Sequence, residues 1–241
     1  LVPGRQPQQI RWTASAFSLA AFVVSAYTFL VYYVDYRDVG GLQFARTWEW
    51  LPLPGHWPLG EQGISLVLGI DGISAAMVLL TGVVMFTGVH VAWTIQERNK
   101  EFFILYFLLL SGVFGVFVSL DMFFFFLFYE LAVLPMYLLI GVWGSSSTFR
   151  DFARSKEYGA MKLMLYLVGG SVLVWIALLA IFVEAGLGTF NLLTLQQVTF
   201  DSDFQRVFFP FLMVGFGVLA GLWPFHTWSP DGHVAAPTAV S

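Results

Sequence analysis

The sequence predicts an all-α membrane protein: a polytopic bundle of about six transmembrane helices with a broken helix near the C-terminus. Three observations carry this reading. Of the 241 residues, 58% are hydrophobic, 18% aromatic and only 11% charged, with a mean hydropathy of +0.77. Charge that sparse does not coat a water-soluble globule of this size, so the solvent is lipid. Apolar runs long enough to cross a hydrocarbon core about 30 Å thick recur along the chain. Lys and Arg, finally, divide unevenly between alternate loops, as membrane orientation requires.

A window of about 19 residues places the spans at Trp12–Val34, Ile70–Trp93, Phe102–Leu120, Met122–Trp143, Lys162–Val183 and Val207–Trp223. The first holds no Asp, Glu, Lys or Arg and stops at Asp35. Asp35–Gly69, containing WEWLPLPGHWPLGEQG, reads as a packed loop of interfacial turns with tryptophans at headgroup level. The second span opens beside Asp71 and carries His90 late. In the third, Ser111, Gly115 and Ser119 recur every four residues, as do Gly217 and Gly221 in the sixth; such stripes let neighbouring backbones approach closely. Gly169-Gly170-Ser171 interrupts the fifth span to the same end.

Two segments carry the chemistry. DMFFFFLFYELAVLPMYLLIGVW, from Asp121 to Trp143, is a membrane-length apolar run with one carboxylate, Glu130, near its middle. It lies nine residues past Asp121, roughly 13 Å along a helix at about 1.5 Å per residue. An ionisable group at that depth costs about 2.5–3.5 kcal/mol even on lenient insertion scales and marks an ion path or proton relay. Pro135 lacks the N–H that would bond the Leu131 carbonyl, so a kink and a freed carbonyl are expected beside Glu130. In the second segment, GLWPFHTWSPDGHVAAPTA, Pro224 and Pro230 break an apolar helix and leave His226, Asp231 and His233 around an irregular backbone. Such a break survives at membrane depth only inside protein or against a watery cavity. Two imidazoles and a carboxylate there suit proton passage, with a three-ligand zinc site as the sharper alternative.

The remaining polar residues are weaker candidates. Asp71 and Asp121 sit at span ends, where capping competes with transport as their role. Lys162, at the start of the fifth span, snorkels to the interface by default, although its side chain is long enough to reach inward. A haem on His90 needs a second deep His, and His56, His226 and His233 all lie outside the spans.

Composition excludes other classes. A net charge of −4 and a pI near 5.5 offer no basic patch for nucleic acid. Zero Cys removes disulfides, iron–sulfur ligation and thiolate catalysis. The chain opens LVPGRQ without an initiator Met and closes at APTAVS, so residues 1–241 are expected to be one transmembrane domain fragment from inside a longer protein.

GISLVLGIDGISAAMVLLTG, SLDMFFFFLFYELAVLPMYLLIGVWG, GAMKLMLYLVGGS and PFHTWSPDGHVAAPTA, in that order, resemble the antiporter-like membrane subunits of proton-pumping NADH–quinone oxidoreductases (respiratory complex I), and subunit M in particular. The resemblance runs from about Trp12 to Ser241. It implies a full protein of about fourteen helices with inverted repeats, of which this piece lacks the first helix and everything past the start of the eighth. It further implies that Glu130 is the proton-translocating carboxylate, with Lys162, His226, Asp231 and His233 on the same path and Asp71, Asp121 and Pro135 in support. The chain then serves as a translocase subunit without redox chemistry, cofactor or metal of its own, while partner subunits handle NADH, FMN, iron–sulfur clusters and quinone. The absence of a G-x-G-x-x-G fingerprint agrees. Its partners are the other membrane and peripheral subunits and the lipid of a bacterial inner membrane. An Mrp-type cation/proton antiporter or a hydrogenase-linked subunit is the alternative within the class. One departure stands out: where the family reads V-K-M-P, this chain has Val218-Leu219-Ala220-Gly221, so the expected Lys is Leu219. Without that ammonium, a non-conducting structural paralogue is a further alternative.

Strict alternation puts Arg5, Arg11, Arg98, Lys100, Arg150, Arg154, Lys156 and Lys162 on one side against Arg37, Arg46 and Arg206 on the other. Eight against three makes the first side cytoplasmic, together with both ends of the fragment. Ser146→Cys is therefore expected to react with an impermeant thiol reagent only from the cytoplasmic face, and Gln62→Cys only from outside. Labelling of Ser146→Cys in intact cells refutes the orientation.

Overall fold

The computed structural model describes residues 7–35, 41–57, 60–148 and 153–241, with side chains described outside 54–62 and 147–154. Arg5, Arg37 and Arg150 of the charge count lie outside the described residues, as do the side chains of Arg154 and His56. In chain order come α1 (Pro7–Asp35), β1 (Gln43–Trp57), β2 (Gly60–Ile70), α2 (Gly72–Val91) with a 3-10 turn at Ala92–Thr94, α3 (Asn99–Val118) and α4 (Met122–Trp143). A two-residue ribbon of β3 (Ser147–Thr148) and β4 (Ala153–Arg154) leads to α5 (Lys156–Ala185), one-turn α6 (Leu192–Leu195), α7 (Ser202–Leu219) and α8 (Trp228–Ala235). α1, α2, α3, α4 and α5 are long and apolar enough to cross a membrane, which makes this an integral membrane protein.

Four expectations need correction. Asp35–Gly69 is not a loop of turns, because β1 and β2 pair antiparallel with Thr47 opposite Val67 and Pro52 opposite Gly63. Aromatic and β-branched residues favour the strand, and Pro52 is tolerated because β1 is the free edge of a two-stranded ribbon. The fifth helix starts at Lys156, not Lys162: Ser155 caps it, accepting from Tyr158 N at 3.2 Å, so Lys162 stands inside the second turn. The sixth starts at Ser202, capped by Asp201, and ends at Leu219 because Gly221 adopts a left-handed φ of +69° with Pro224 soon after. Beyond it the backbone is not irregular throughout, since 228–235 is helical. Pro230 fits there as the third helical residue, where an N–H has no intrahelical acceptor.

Each helix rests on the next, α1 on α2, α2 on α3, α3 on α4, α4 on α5, and α5 on both α7 and α8. Glycines set the closest seams, though not all of those the four-residue stripes marked. Ser111 is exposed and donates to the Phe107 carbonyl, while Gly112 and Gly115 face α4. A Cβ on Gly112 would stand 2.7 Å from the Phe128 carbonyl oxygen and 2.8 Å from Ala132 N. Between α5 and α7 the pair is Gly170 and Gly215, whereas Gly217 meets only Leu222 of its own chain. At one end of the bundle Arg11 donates to Ile95 O at 3.0 Å, Trp143 Nε1 to Glu97 O at 2.8 Å and Lys156 Nζ to Val142 O at 2.7 Å, so α1, α4 and α5 and the α2–α3 turn share it. The hairpin covers the other end. Gly112→Leu is expected to force α3 from α4 against backbone, costing at least about 3 kcal/mol and lowering the assembled yield severalfold on native gels. Gly169→Ala, with nothing within 4 Å of its new Cβ, should match the parent.

Candidate proton-transfer site

α4 presents Glu130 from its ninth residue, close to the middle of a 22-residue apolar helix. The carboxyl is half-buried, and its Oε1 is fully enclosed with no hydrogen-bond partner among the described residues. The neighbouring Tyr129 hydroxyl is in the same condition. Among the described residues neither oxygen is held by a donor or a cation. Five residues on, Pro135 is fully buried within an unbroken α4, and by its chemistry it leaves the Leu131 carbonyl without the usual donor.

Against the Tyr129 side of α4 lies a cavity of about 280 Å³ between α3, α4, α5 and α8, walled by Tyr129, Val133, Leu163, Leu219, Trp228 and His233 among others; Glu130 is not one of its lining residues. Its lining is almost wholly apolar. Leu219, where a Lys was expected, sits in this wall, and its Cδ2 would be 2.8 Å from a Cβ on Gly170. Trp228 is anchored by its Nε1, which donates to the Val218 carbonyl at 2.9 Å, so the end of α7 and the start of α8 are tied together.

Lys162 neither snorkels nor faces Glu130. Its Nζ donates to Asp231 Oδ2 at 2.8 Å, with the lysine side chain 18% and the aspartate 5% exposed. The ammonium also lies 5.8 Å from the Tyr158 ring centroid, within cation–π range. One turn on, Tyr166 Oη and Thr227 Oγ1 are 3.2 Å apart. This ladder binds α8 to α5. His226, Asp231 and His233 are not gathered into one cluster: Asp231 points into the ion pair, His233 is exposed with Nδ1 3.2 Å from Ser241 Oγ, and His226 is exposed in the turn before α8. Among the described residues no three His, Asp or Glu side chains converge as metal ligands.

Both flanking aspartates are caps, of different kinds. Asp71 is exposed and forms a capping box: Oδ1 accepts from Ile73 N and Ser74 N at 3.0 and 2.7 Å, and its own N–H donates to Ser74 Oγ. Asp121 is fully buried. Its Oδ1 accepts from Phe123 N and Phe124 N, and burial pushes the carboxyl up to about 6 against the opposing pull of those two N–H groups. His90 is engaged at both ring nitrogens; Nδ1–H donates to Phe86 O at 2.8 Å, which leaves Nε2 to accept from Ser15 Oγ at 3.3 Å. Sequence reasoning missed Tyr129, whose one signal is its place before Glu130 in FYEL. It also missed the Lys162–Asp231 pair, because no local pattern joins residues 69 apart.

Residues 119–241 match the family described as NADH:quinone oxidoreductase/Mrp antiporter, transmembrane. The whole chain is 32% identical to NAD(P)H-quinone oxidoreductase chain 4-2 of Synechocystis sp., covering 40% of that protein, and 97% of it is 33% identical to the chloroplastic chain 4 of Chara vulgaris, covering 44%. The chain thus spans less than half the length of these relatives. In fold it superposes on a chain of Thermus thermophilus respiratory complex I with TM-score 0.78 at 24% identity, over 94% of this chain and 43% of that one. A chain of the Dietzia sp. Mrp complex gives 0.74 at 18% identity, over 98% and 40%. A match over residues 119–241, about half of the sequence, establishes that the chain belongs to the NADH:quinone oxidoreductase/Mrp antiporter transmembrane family.

Proposed function

We propose that this chain is a proton-translocating, antiporter-like membrane subunit of the subunit M type, working in a complex I-type NADH–quinone oxidoreductase. The observation that carries the reading is Glu130: a carboxyl at mid-span whose Oε1 is buried with no partner among the described residues, beside a tyrosine hydroxyl in the same condition. A structural glutamate in hydrocarbon would be held by donors, whereas a transfer group must bind and release a proton without breaking the fold. Relatives named as quinone oxidoreductase chains support the assignment to that assembly. NADH, FMN, iron–sulfur clusters and quinone then belong to partner subunits, and the end carrying Arg11, Lys156 and Lys162 faces the cytoplasm. Lys162, Asp231 and His233 form the inner flank of the path.

Leu219 favours a second reading, a paralogue that assembles without conducting, since an apolar cavity wall replaces the expected ammonium there. Glu130→Gln in the assembled complex separates the two, because the amide keeps shape and hydrogen bonding but carries no proton. Proton translocation per electron pair is expected to fall well below the parental value while assembly holds; parental translocation makes Glu130 structural.

The ion pair yields a separate expectation. Lys162→Met or Asp231→Leu alone leaves its partner's charge buried, a loss of about 3–5 kcal/mol, so each should lower the thermal stability of the solubilised protein. The double variant should recover most of that loss, and strictly additive losses would mean that the pair contributes no coupling.

A further inference from the structure

Asp121 is set deeper than a helix cap requires. Its side chain is 0% exposed, and while Oδ1 takes the N–H groups of Phe123 and Phe124 at 3.0 and 3.1 Å, Oδ2 is enclosed with no partner among the described residues. A buried anion with one oxygen unsatisfied is costly. A proton on Oδ2 removes that cost and leaves Oδ1 to cap α4.

The backbone sets this group beside Asn191, a residue that lines a polar space. Residues 119–121 run extended between β2 and the start of α6: Leu120 N donates to Val67 O at 2.8 Å, Met122 N to Phe190 O at 3.0 Å and Leu192 N to Leu120 O at 2.9 Å. Asp121 and Asn191 are antiparallel partners flanked by the last two bonds. That makes them a non-hydrogen-bonded pair, in which facing side chains share one side of the ladder at closest approach. Asn191 lines a cavity of about 220 Å³ whose other polar walls are Thr47, Glu49, Ser65, Thr189 and Thr194. Trp50 fastens the hairpin over this end of α4, with ring centroids 5.7 Å from Phe123 and 5.5 Å from Phe124.

We propose that this cavity is the proton vestibule at the hairpin end of the chain, and that Asp121 is the proton carrier behind it, releasing and rebinding its proton past Asn191. The inference rests on the proposed function, since the same helix carries Glu130 about 13 Å further along. In the step the O–H bond on Oδ2 breaks, the proton passes to water in a cavity polar and roomy enough to hold it, and the carboxylate keeps the electron pair and its two N–H donors. Charged groups on the surrounding elements are few. β1 carries Arg46 and Glu49, both exposed, and Glu184 is exposed at the end of α5. The side chain of Glu61 on β2 lies outside the described residues, residues 189–195 carry no charge, and Glu130 is the next ionisable carboxylate along α4. Burial, which pushes Asp121 up to about 6, brings its proton exchange close to neutral pH.

The test uses the assembled complex reconstituted in vesicles. Asp121→Ser keeps a capping oxygen and deletes the proton carrier, so translocation per electron pair is expected to fall to the level of Glu130→Gln with the assembled yield unchanged. Infrared difference spectra should show a carboxyl band titrating near 6 that Asp121→Asn abolishes. Parental translocation in Asp121→Ser beside a defective Glu130→Gln overturns the vestibule and leaves the proposed function standing. Loss in Asp121→Ser alone supports the vestibule and removes Glu130 from the path, and parental values in both overturn both. Where Asp121→Ser fails to assemble, Thr194→Cys reads the cavity without touching the cap. A charged methanethiosulfonate attached there, against a labelled parental control, should block translocation, and unchanged translocation after full labelling overturns the inference.

Discussion

In hydrocarbon a polar group without a partner costs several kcal/mol, and that penalty organises this chain more than any attraction between its helices. It makes the spans helical and confines extended backbone to their ends. There the hairpin, residues 119–122 and residues 190–192 satisfy one another by ladder bonds. It also gives meaning to the violations. Five buried side-chain atoms lack partners among the described residues, and two of them, Arg11 Nε and Asn99 Oδ1, belong to groups that already donate to the Ile95 carbonyl at one end of the bundle. The other three, Asp121 Oδ2, Tyr129 Oη and Glu130 Oε1, all lie on α4 or its cap. A single helix therefore concentrates the unsatisfied oxygens, and a transferred proton is the chemical species that satisfies a carboxylate temporarily.

Helix association must then come from fit, since lipid tails are as apolar as leucine and give no hydrophobic drive between spans. Gly112 and Gly115 bring α3 against the backbone of α4, and Gly170 meets Gly215 between α5 and α7. The first seam holds α4 against α3, and on its other side Val133 and Ile140 pack with Ala160 and Leu163 of α5, so Glu130 sits on a helix braced from both sides.

How much of this was legible follows from range. Hydropathy over about 19 residues reports burial in lipid directly, so α1 to α5 and the depth of Glu130 were readable, as were the caps at Asp71 and Asp121. The hairpin was not, because WEWLPLPGHWPLG offers prolines and glycines that speak for turns, and only the position of β1 at the edge of a two-stranded ribbon makes Pro52 tolerable. Helix ends moved for a similar reason: Ser155 and Asp201 cap through side-chain oxygens that hydropathy ignores. A four-residue stripe named Gly115 rightly but chose Ser111 over Gly112, since spacing alone does not say which way a helix is turned.

Charge placement carries the argument furthest. The resemblance set an ammonium at position 219 to face the buried carboxylate, and the chain has leucine there, in the wall of an apolar cavity. The nearest candidate to replace it, Lys162, is already committed to Asp231 and serves to hold α8 on α5. The cavity wall thus includes no Lys, Arg, Asp or Glu, and Tyr129 and His233 are its titratable residues. The missing ammonium is answered by packing and not by another charge: Leu219 closes against Gly170 of α5, and Trp228 Nε1 ties the end of α7 to the start of α8.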